Sequence, residues 1–140
     1  MKISTKGRYG LRMMLDLAHN YQNGLVSLKE IAQRQEISEK YLEQIIILLH
    51  KSGLIRSMRG SQGGYALAKS PDEITVGAVL RALEGSLVPV DCVLDESCPR
   101  TGGCATRRLW SKIADAVADI VDNTTLAQLA SEPDASDYVI

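Results

Sequence analysis

The chain has 140 residues and a formal net charge of −1; 45% of the residues are hydrophobic and 24% are charged. This size fits one domain or a small domain with an appendage, and the composition excludes wholesale disorder and fibrous classes. The longest apolar run covers only residues 45–49, which excludes a membrane-spanning helix. The first eight residues lack the apolar stretch of a secretory signal, so we expect a cytoplasmic protein.

The two halves of the chain carry opposite charge. Residues 1–70 contain 11 Lys and Arg against 5 Asp and Glu, whereas residues 71–140 contain 5 against 12. The halves therefore carry +6 and −7. This asymmetry indicates that the first half faces a polyanion such as nucleic acid, and that the second half has a different role.

Three helices are predicted in the first half, from Thr5 to about Tyr21, from Leu28 to about Gln35, and from Glu39 to Gly53. Asn23 and Gly24 end the first helix. Ser27 and Glu30 have the spacing of a capping box at the start of the second, and Ser38 is the predicted N-cap of the third. The third helix carries an apolar stripe for the core, at Leu42, Ile45, Ile46 and Leu49. Two short helices joined by a tight turn predict a helix-turn-helix.

A glycine-rich hairpin is predicted next. Residues 54–58 and 65–68 have strand character, and residues 59–64 between them form a flexible tip that carries Arg59. A helix-turn-helix followed by such a hairpin is a winged helix, so we predict a mainly α fold with a small β-hairpin wing. The glycines allow close approach to a sugar-phosphate backbone, and Arg59 suits a narrow minor groove.

The third helix is the predicted DNA-reading element, because its first polar residues face outward where recognition helices contact base edges. Gln44 suits adenine, Glu43 can accept from the cytosine amino group, and Lys40 can bind phosphate or guanine. Residues at the start of the first helix are predicted to contact phosphate. The predicted DNA-binding residues are Ser4, Lys6, Arg8, Ser38, Glu39, Lys40, Tyr41, Glu43, Gln44, Arg59, Gly60, Gln62 and Gly63. A protein-binding winged helix is the alternative, and the basic charge of this half argues against it.

All three cysteines, Cys92, Cys98 and Cys104, lie within one segment of 13 residues. An odd number of thiols excludes a complete disulfide framework. Soft thiolates on a loop suit zinc or an iron–sulfur cluster. Zinc sites usually bring their ligands in closer pairs, and Gly102 and Gly103 would let backbone amides approach cluster sulfurs.

A long helix is predicted after the cysteines, from Thr106 to Asn123. Its apolar residues recur at spacings of three and four, which is the pattern of a seam between two helices, at Trp110, Ile113, Val117 and Ile120. Aromatic residues make up only 4% of the chain, and the resulting small core favours oligomerisation. A homodimer would also match a pseudo-palindromic DNA operator. The last residues, 131–140, are acidic and predicted to be frayed.

The predicted organisation has four parts. They are a winged helix-turn-helix DNA-binding domain (1–70), a connecting helix and linker (71–91, with the helix at about 75–83), a cysteine loop (92–104), and a dimerisation helix with a C-terminal tail (105–140). The sequence lacks C-x-x-C, G-x-G-x-x-G and Walker motifs and any evident Cys/His catalytic pair, so we predict that the protein is not an enzyme.

Short motifs along nearly the whole chain resemble one family of regulators. They are Lys6-Gly7-Arg8-Tyr9, Tyr41-Leu42-Glu43-Gln44, Arg59-Gly60 with Gly63-Gly64-Tyr65, Leu83-Glu84-Gly85, the three cysteines, Leu109-Trp110, and Thr124-Thr125-Leu126 with Leu129. They resemble the winged-helix regulator family that includes the iron–sulfur cluster regulator IscR, the nitric-oxide sensor NsrR and the cysteine-metabolism repressor CymR.

The resemblance implies a homodimeric transcription repressor with Tyr41, Glu43, Gln44 and Arg59 at the DNA surface. It further implies that the three cysteines ligate an iron–sulfur cluster, [2Fe–2S] in preference to [4Fe–4S]. The state of that cluster would control promoter binding in response to iron–sulfur, redox or nitric-oxide status.

The chain departs from this family pattern at the fourth cluster ligand. IscR-like members carry a histidine three residues after the third cysteine, where this chain has Arg107, and a guanidinium does not ligate metals. Other relatives use an acidic residue at the position of Arg8. The remaining candidates are His19, His50, Asp91, Asp95, Glu96, a group from a partner chain, an exogenous thiol and water.

A second departure concerns the branch of the family. Residues 1–11 and 115–117 look more like the cysteine-metabolism branch, which lacks the three cysteines. The alternative is therefore a metal-free thiol-switch repressor of cysteine or sulfur metabolism with the same fold.

Overall fold

The computed structural model describes residues 2–95, 98–100 and 102–133. This part of the chain forms six α-helices and one two-stranded antiparallel hairpin. The helices are α1 (Thr5–His19), α2 (Leu28–Gln35), α3 (Glu39–Lys51), α4 (Val76–Glu84), α5 (Ala105–Asp122) and α6 (Leu126–Ala130), and the strands are β1 (Ile55–Met58) and β2 (Gly64–Leu67). The predicted mainly α, winged helix-turn-helix fold is confirmed.

Side-chain caps fix where the first three helices begin. Ser4 Oγ accepts the Gly7 amide at 3.2 Å and opens α1. Ser27 and Ser38 cap α2 and α3 in the same way. Only the Ser27 half of the predicted capping box forms there; the complete reciprocal box lies at Thr125 and Gln128 and opens α6, a helix that the sequence reading missed.

Several predicted boundaries were wrong by one or two residues. The first helix ends at His19 because residues 21–23 form a separate 3-10 turn before Gly24, which has a φ of 84°. Strand β1 begins one residue later than predicted, and β2 begins and ends one residue earlier. Helix α3 ends at Lys51 instead of Gly53, α4 begins and ends one residue later than predicted, and α5 begins and ends one residue earlier. Helix and strand ends depend on local hydrogen bonds that periodicity does not specify.

The turn of the helix-turn-helix contains a strained residue. Glu36 follows α2 and adopts the left-handed conformation, with φ 56° and ψ 45°. This conformation costs a non-glycine residue roughly 1–2 kcal/mol. It redirects the chain so that the Ile37 amide bonds the Ala32 carbonyl at 3.2 Å, and the buried Ile37 side chain joins the core.

The core forms around α1. Met13, Met14 and Leu17 are buried, and the predicted α3 stripe packs with them, which confirms that Leu42, Ile45, Ile46 and Leu49 are core residues. The same cluster includes Ile74, Val79, Leu83 and Leu126. Residues on both sides of the predicted boundary at residue 70 therefore share one core.

Close contact between α1 and α4 depends on a glycine. A Cβ at Gly10 would lie 2.1 Å from Leu83 Cδ1, and Leu83 is itself buried. Helix α1 has a Gly at this position because no side chain fits between the two helices.

Helix α5 is attached to the remainder of the fold but is not covered by it. Val117 and Val121 pack against a second apolar cluster formed by Val76, Leu80 and Leu87. None of the 18 residues of α5 is buried. Residues 134–140, most of the predicted frayed tail, lie outside the described residues, and no helix in the described ranges is long and apolar enough to cross a membrane.

Candidate DNA-binding face and cysteine loop

The start of α3 presents polar side chains to solvent. Glu39, Lys40, Glu43 and Gln44 are exposed, as predicted for residues that read bases. Tyr41 differs, because its half-buried ring packs edge-to-face on Tyr9 of α1 with 5.7 Å between ring centroids.

The start of α1 lies beside this surface. Ser4, Lys6, Tyr41 and Gln44 line one surface depression of about 540 Å³ together with Glu84 of α4. The structure thus brings together two groups of predicted DNA-contacting residues that are distant in the sequence.

Glu84 is a neighbour of this surface that the sequence alone does not reveal. Its carboxylate accepts hydrogen bonds from both the amide and the hydroxyl of Ser4. Ser4 therefore already makes hydrogen bonds within the chain, as the N-cap of α1 and as a donor to Glu84 of α4. Lys6, half-buried, and Arg8, exposed, remain the cations at this end of the helix.

The wing places Arg59 at an exposed tip. Strands β1 and β2 pair in the register Ile55↔Leu67 to Met58↔Gly64. Arg59, Gly60 and Gln62 are exposed beyond that pairing. Gly60 has a φ of 111°, and its carbonyl accepts the Gly63 amide at 3.0 Å, which closes the tip.

Gly63 has a steric reason to be glycine that the sequence reading did not identify. A Cβ at this position would lie 2.0 Å from the Met58 carbonyl oxygen. The residue is therefore needed to close the hairpin, whatever its distance from a DNA backbone.

A buried carboxylate holds the helix-turn-helix against α1. Asp16 accepts two hydrogen bonds from the Arg34 guanidinium, at 2.8 and 2.9 Å, and one from Gln35 Nε2 at 3.0 Å. Its side chain is 3% exposed, and that of Arg34 is 43% exposed. An acidic residue inside the apolar stripe of α1 is the signal by which this contact could have been found.

The three cysteines lie on the loop that leads into α5. Cys92 belongs to a 3-10 turn, Cys98 is exposed, and Cys104 is the N-cap residue of α5. The described residues contain no disulfide. Arg107, the residue at the position of the expected histidine ligand, donates from Nε to the Cys92 carbonyl at 3.0 Å.

Cys104 has the electrostatic surroundings of a reactive thiol. The Thr106 hydroxyl, 3.1 Å from the sulfur, holds the pKa of Cys104 below its usual value, helped by the amides of the first turn of α5 and by Arg100. Free amides at a helix N-terminus and nearby positive charge stabilise a thiolate relative to the thiol.

The donor types suit an iron–sulfur cluster, but the described geometry does not assemble one. In residues 2–95, 98–100 and 102–133, no three His, Cys, Asp or Glu side chains are grouped closely enough to hold a metal ion. Two candidate fourth ligands have other neighbours: His19 Nε2 lies 3.1 Å from the Ala130 carbonyl, and His50 Nε2 lies 3.4 Å from Ser57 Oγ. Glu96 lies outside the described residues.

The predicted seam of α5 is only partly covered. Trp110, Ile113 and Val117 are half-buried, whereas Ile120 is 67% exposed. Val117 and Ile120 line an apolar groove of about 310 Å³ with Leu80 and Leu87.

Comparison with known proteins identifies the family. Residues 3–132 match the sequence profile of the Rrf2 family, described as iron-dependent transcriptional regulators. The HTH-type transcriptional regulator CymR of Bacillus subtilis is 49% identical over 134 residues, covering 96% of this chain and 93% of the relative. The HTH-type transcriptional regulator IscR of Pectobacterium carotovorum is 41% identical over 137 residues, covering 98% and 84%.

Solved structures agree with the sequence comparison. The structure of B. subtilis CymR, described as the global cysteine regulator of that organism, matches with a TM-score of 0.83 and 48% identity. It covers 96% of this chain and 99% of the other. These matches confirm the predicted resemblance, the winged-helix fold and a regulatory rather than enzymatic role. The chain belongs to the Rrf2 family of transcriptional regulators.

Proposed function

We propose that this chain is a homodimeric repressor that binds a pseudo-palindromic operator in double-stranded DNA. The observation that carries the proposal is the shared surface of α1 and α3, where Lys6 and Gln44 line one depression. Helix α3 enters the major groove, and the wing tip contacts the adjacent minor groove.

The predicted DNA-binding residues divide by role. Lys40, Glu43 and Gln44 are exposed on the first turns of α3 and reach base edges. Lys6 and Arg8 contact phosphate and fix the orientation of the protein on the duplex. Tyr41 and Ser4 act through the packing and capping that hold α3 and α1 in place. The remaining members of the proposed contact set are Ser38, Glu39, Arg59, Gly60, Gln62 and Gly63.

The uncovered face of α5 supports the homodimer. A helix of 18 residues with no buried position does not gain enough apolar burial from its own chain. A second copy of α5 would cover Ile120 and the adjoining groove, with Trp110 and Ile113 in the same seam. Two winged helices related by a two-fold axis then match two operator half-sites.

The cysteine loop is the proposed sensor, and Cys92, Cys98 and Cys104 would hold an iron–sulfur cluster, [2Fe–2S] in preference to [4Fe–4S]. Three thiols on one loop supply the soft donors that such a cluster requires. When bound, the cluster would make the loop responsive to iron–sulfur, redox or nitric-oxide status. Because Cys104 is the N-cap residue of α5, rearrangement of the loop reaches the helix that joins the two protomers.

A metal-free thiol switch is the second candidate, and the surroundings of Cys104 favour it. The hydroxyl of Thr106 and the N-terminus of α5 stabilise the thiolate form of Cys104. Thiolates are the form that attacks disulfides and is oxidised. In this case the same dimer would respond to sulfur metabolites or oxidants without bound iron.

DNA binding is tested by titrating operator fragments at two salt concentrations. The Arg59→Ala substitution should weaken operator binding by about 1–3 kcal/mol, roughly 5- to 150-fold, through the loss of one specific contact. Lys112→Ala, which removes an exposed cation from α5, is the matched control and should change affinity little. Equal effects of the two substitutions would remove Arg59 from the interface.

The sensor is tested by anaerobic purification with counts of iron and sulfide. A cluster predicts visible iron–sulfur absorption that Cys98→Ala abolishes. Absorption that persists in this variant excludes Cys98 as a ligand, and iron-free protein that still changes its DNA affinity on oxidation supports the thiol switch instead.

A further inference from the structure

One apolar side chain interrupts the polar surface of α3. Ile47 is 66% exposed, whereas the stripe residues on either side of it in sequence are buried. It belongs to neither of the two apolar clusters. Isoleucine is also a weaker helix former than the long unbranched residues. Neither packing nor helix propensity therefore accounts for this residue.

The position of Ile47 places it with the proposed base-reading residues. It follows Gln44 by three residues and Glu43 by four, and residues at these spacings lie on the same face of a helix. Lys51 lies one turn further on and is also exposed. The solvent face of α3 thus runs from Lys40 through Glu43 and Gln44 to Ile47, and then to Lys51.

The mixture of charged, polar and apolar side chains on this face of α3 indicates what kind of partner can bind it. A large apolar protein surface would desolvate the charged side chains beside Ile47 without pairing them, which is unfavourable. The major groove of DNA is flanked by phosphates, which can pair with the cations. The base edges in the groove offer hydrogen-bond donors and acceptors to Gln44 and Glu43. Among the four bases the groove offers an exposed methyl group only on thymine.

We infer that Ile47 contacts the 5-methyl group of a thymine in each operator half-site and selects thymine at that position. The inference rests on the proposed function, since it requires α3 to lie in the major groove. Ile47 is about 4.5 Å further along the helix axis than Gln44, compared with a rise of about 3.4 Å per base step. With α3 lying in the groove, the thymine lies within about two base steps of the base pair that Gln44 reads.

A uracil scan tests the contact directly. An operator is first selected from random-sequence duplexes with the wild-type protein, and each thymine is then replaced by uracil, which lacks only the methyl group. Wild-type protein should lose affinity at one position per half-site, by about 4-fold for one methyl group. Ile47→Ser should bind the thymine and uracil operators equally, and Ile47→Val, which keeps an apolar β-branched side chain, should retain most of the discrimination.

The outcomes separate this inference from the proposed function. If wild-type protein binds the operator but no uracil position matters, or if Ile47→Ser keeps the discrimination, Ile47 does not contact a thymine methyl and the repressor proposal is unaffected. If Ile47→Ser changes the sedimentation coefficient but not DNA binding, the side chain belongs to a protein contact and the inference is wrong. Failure of wild-type protein to bind any duplex would overturn both.

Discussion

Two Arg–Asp pairs in this chain differ mainly in the burial of the carboxylate. Arg34 and Arg81 each bind an aspartate with two hydrogen bonds, and their side chains are 43% and 42% exposed. Asp16, the partner of Arg34, is 3% exposed, whereas Asp122, the partner of Arg81, is 43% exposed. Replacing each arginine by methionine keeps most of the apolar stem and removes the charge.

The expected losses in the free energy of unfolding differ several-fold between the two substitutions. Arg34→Met removes two of the three hydrogen bonds to a buried charge, and losing one partner of a buried pair costs about 3–5 kcal/mol. Water can reach Asp16 through the space that the half-exposed arginine leaves, so we expect about 3 kcal/mol, at the lower end of that range. Arg81→Met breaks an exposed pair and should cost at most about 1 kcal/mol.

Urea denaturation, monitored by far-UV circular dichroism, measures the loss of unfolding free energy for both variants. The protomer concentration must be the same for all variants, because the proposed dimerisation would make the apparent stability depend on concentration. The double variant Asp16→Met with Arg34→Met should be more stable than Arg34→Met alone, since no buried charge remains without its partner. Equal costs for Arg34→Met and Arg81→Met would refute the assignment of Asp16 as a buried charge that the helix-turn-helix must satisfy.

Two further substitutions test other contacts. Gly10→Ala gains about 1 kcal/mol of helix propensity but places a Cβ against the buried Leu83, so we expect a net loss of roughly 1–2 kcal/mol in urea denaturation; a gain in stability would mean that α4 moves away at no cost. Thr106→Val removes the main group that lowers the pKa of Cys104, so the pH dependence of Cys104 alkylation by iodoacetamide, followed by mass spectrometry, should shift to higher pH. An unchanged pH dependence would show that the amides of the helix N-terminus and Arg100 stabilise the thiolate without the Thr106 hydroxyl.

Periodicity and cap residues predicted the helix-turn-helix because both act over a few residues. The apolar spacing of α3 determines which of its faces is buried, and Ser38 determines where the helix begins. The same reasoning failed at the end of α1, where a 3-10 turn continues a helix-like spacing without α-helical hydrogen bonds. It also missed α6, whose five residues are too few to show a helical period.

Contacts between distant residues could not be predicted from spacing. The sequence identifies Glu84 only as part of the family motif Leu83-Glu84-Gly85, although it binds Ser4 across 80 residues of sequence. Asp16 lies in an apolar stripe, and only the packing of α2 against α1 shows that Arg34 satisfies it. Both are polar contacts that depend on tertiary packing, which helical periodicity does not describe.

In the cysteine loop, too, the sequence shows which chemical groups are present but not which residues they contact. Sequence spacing identified three soft donors on one loop, and the structure places all three cysteines between the end of α4 and the start of α5. Spacing did not reveal that Arg107 bonds the Cys92 carbonyl. Arg107 was considered only as a residue that cannot ligate metal, and its role as a backbone contact became visible in the structure.

That contact bears on the proposed sensor role of the loop. The hydrogen bond from Arg107 to Cys92 joins the first residue of the loop to the first turn of α5, next to Cys104. The protein itself therefore holds the two ends of the loop together, and less conformational entropy remains to be lost when the thiols react or bind a metal. Cys98 lies between these two ends and is exposed. A disulfide between Cys92 and Cys104 needs no contribution from Cys98, whereas a cluster held by three thiols does, so loss of the response in Cys98→Ala favours the cluster over that switch.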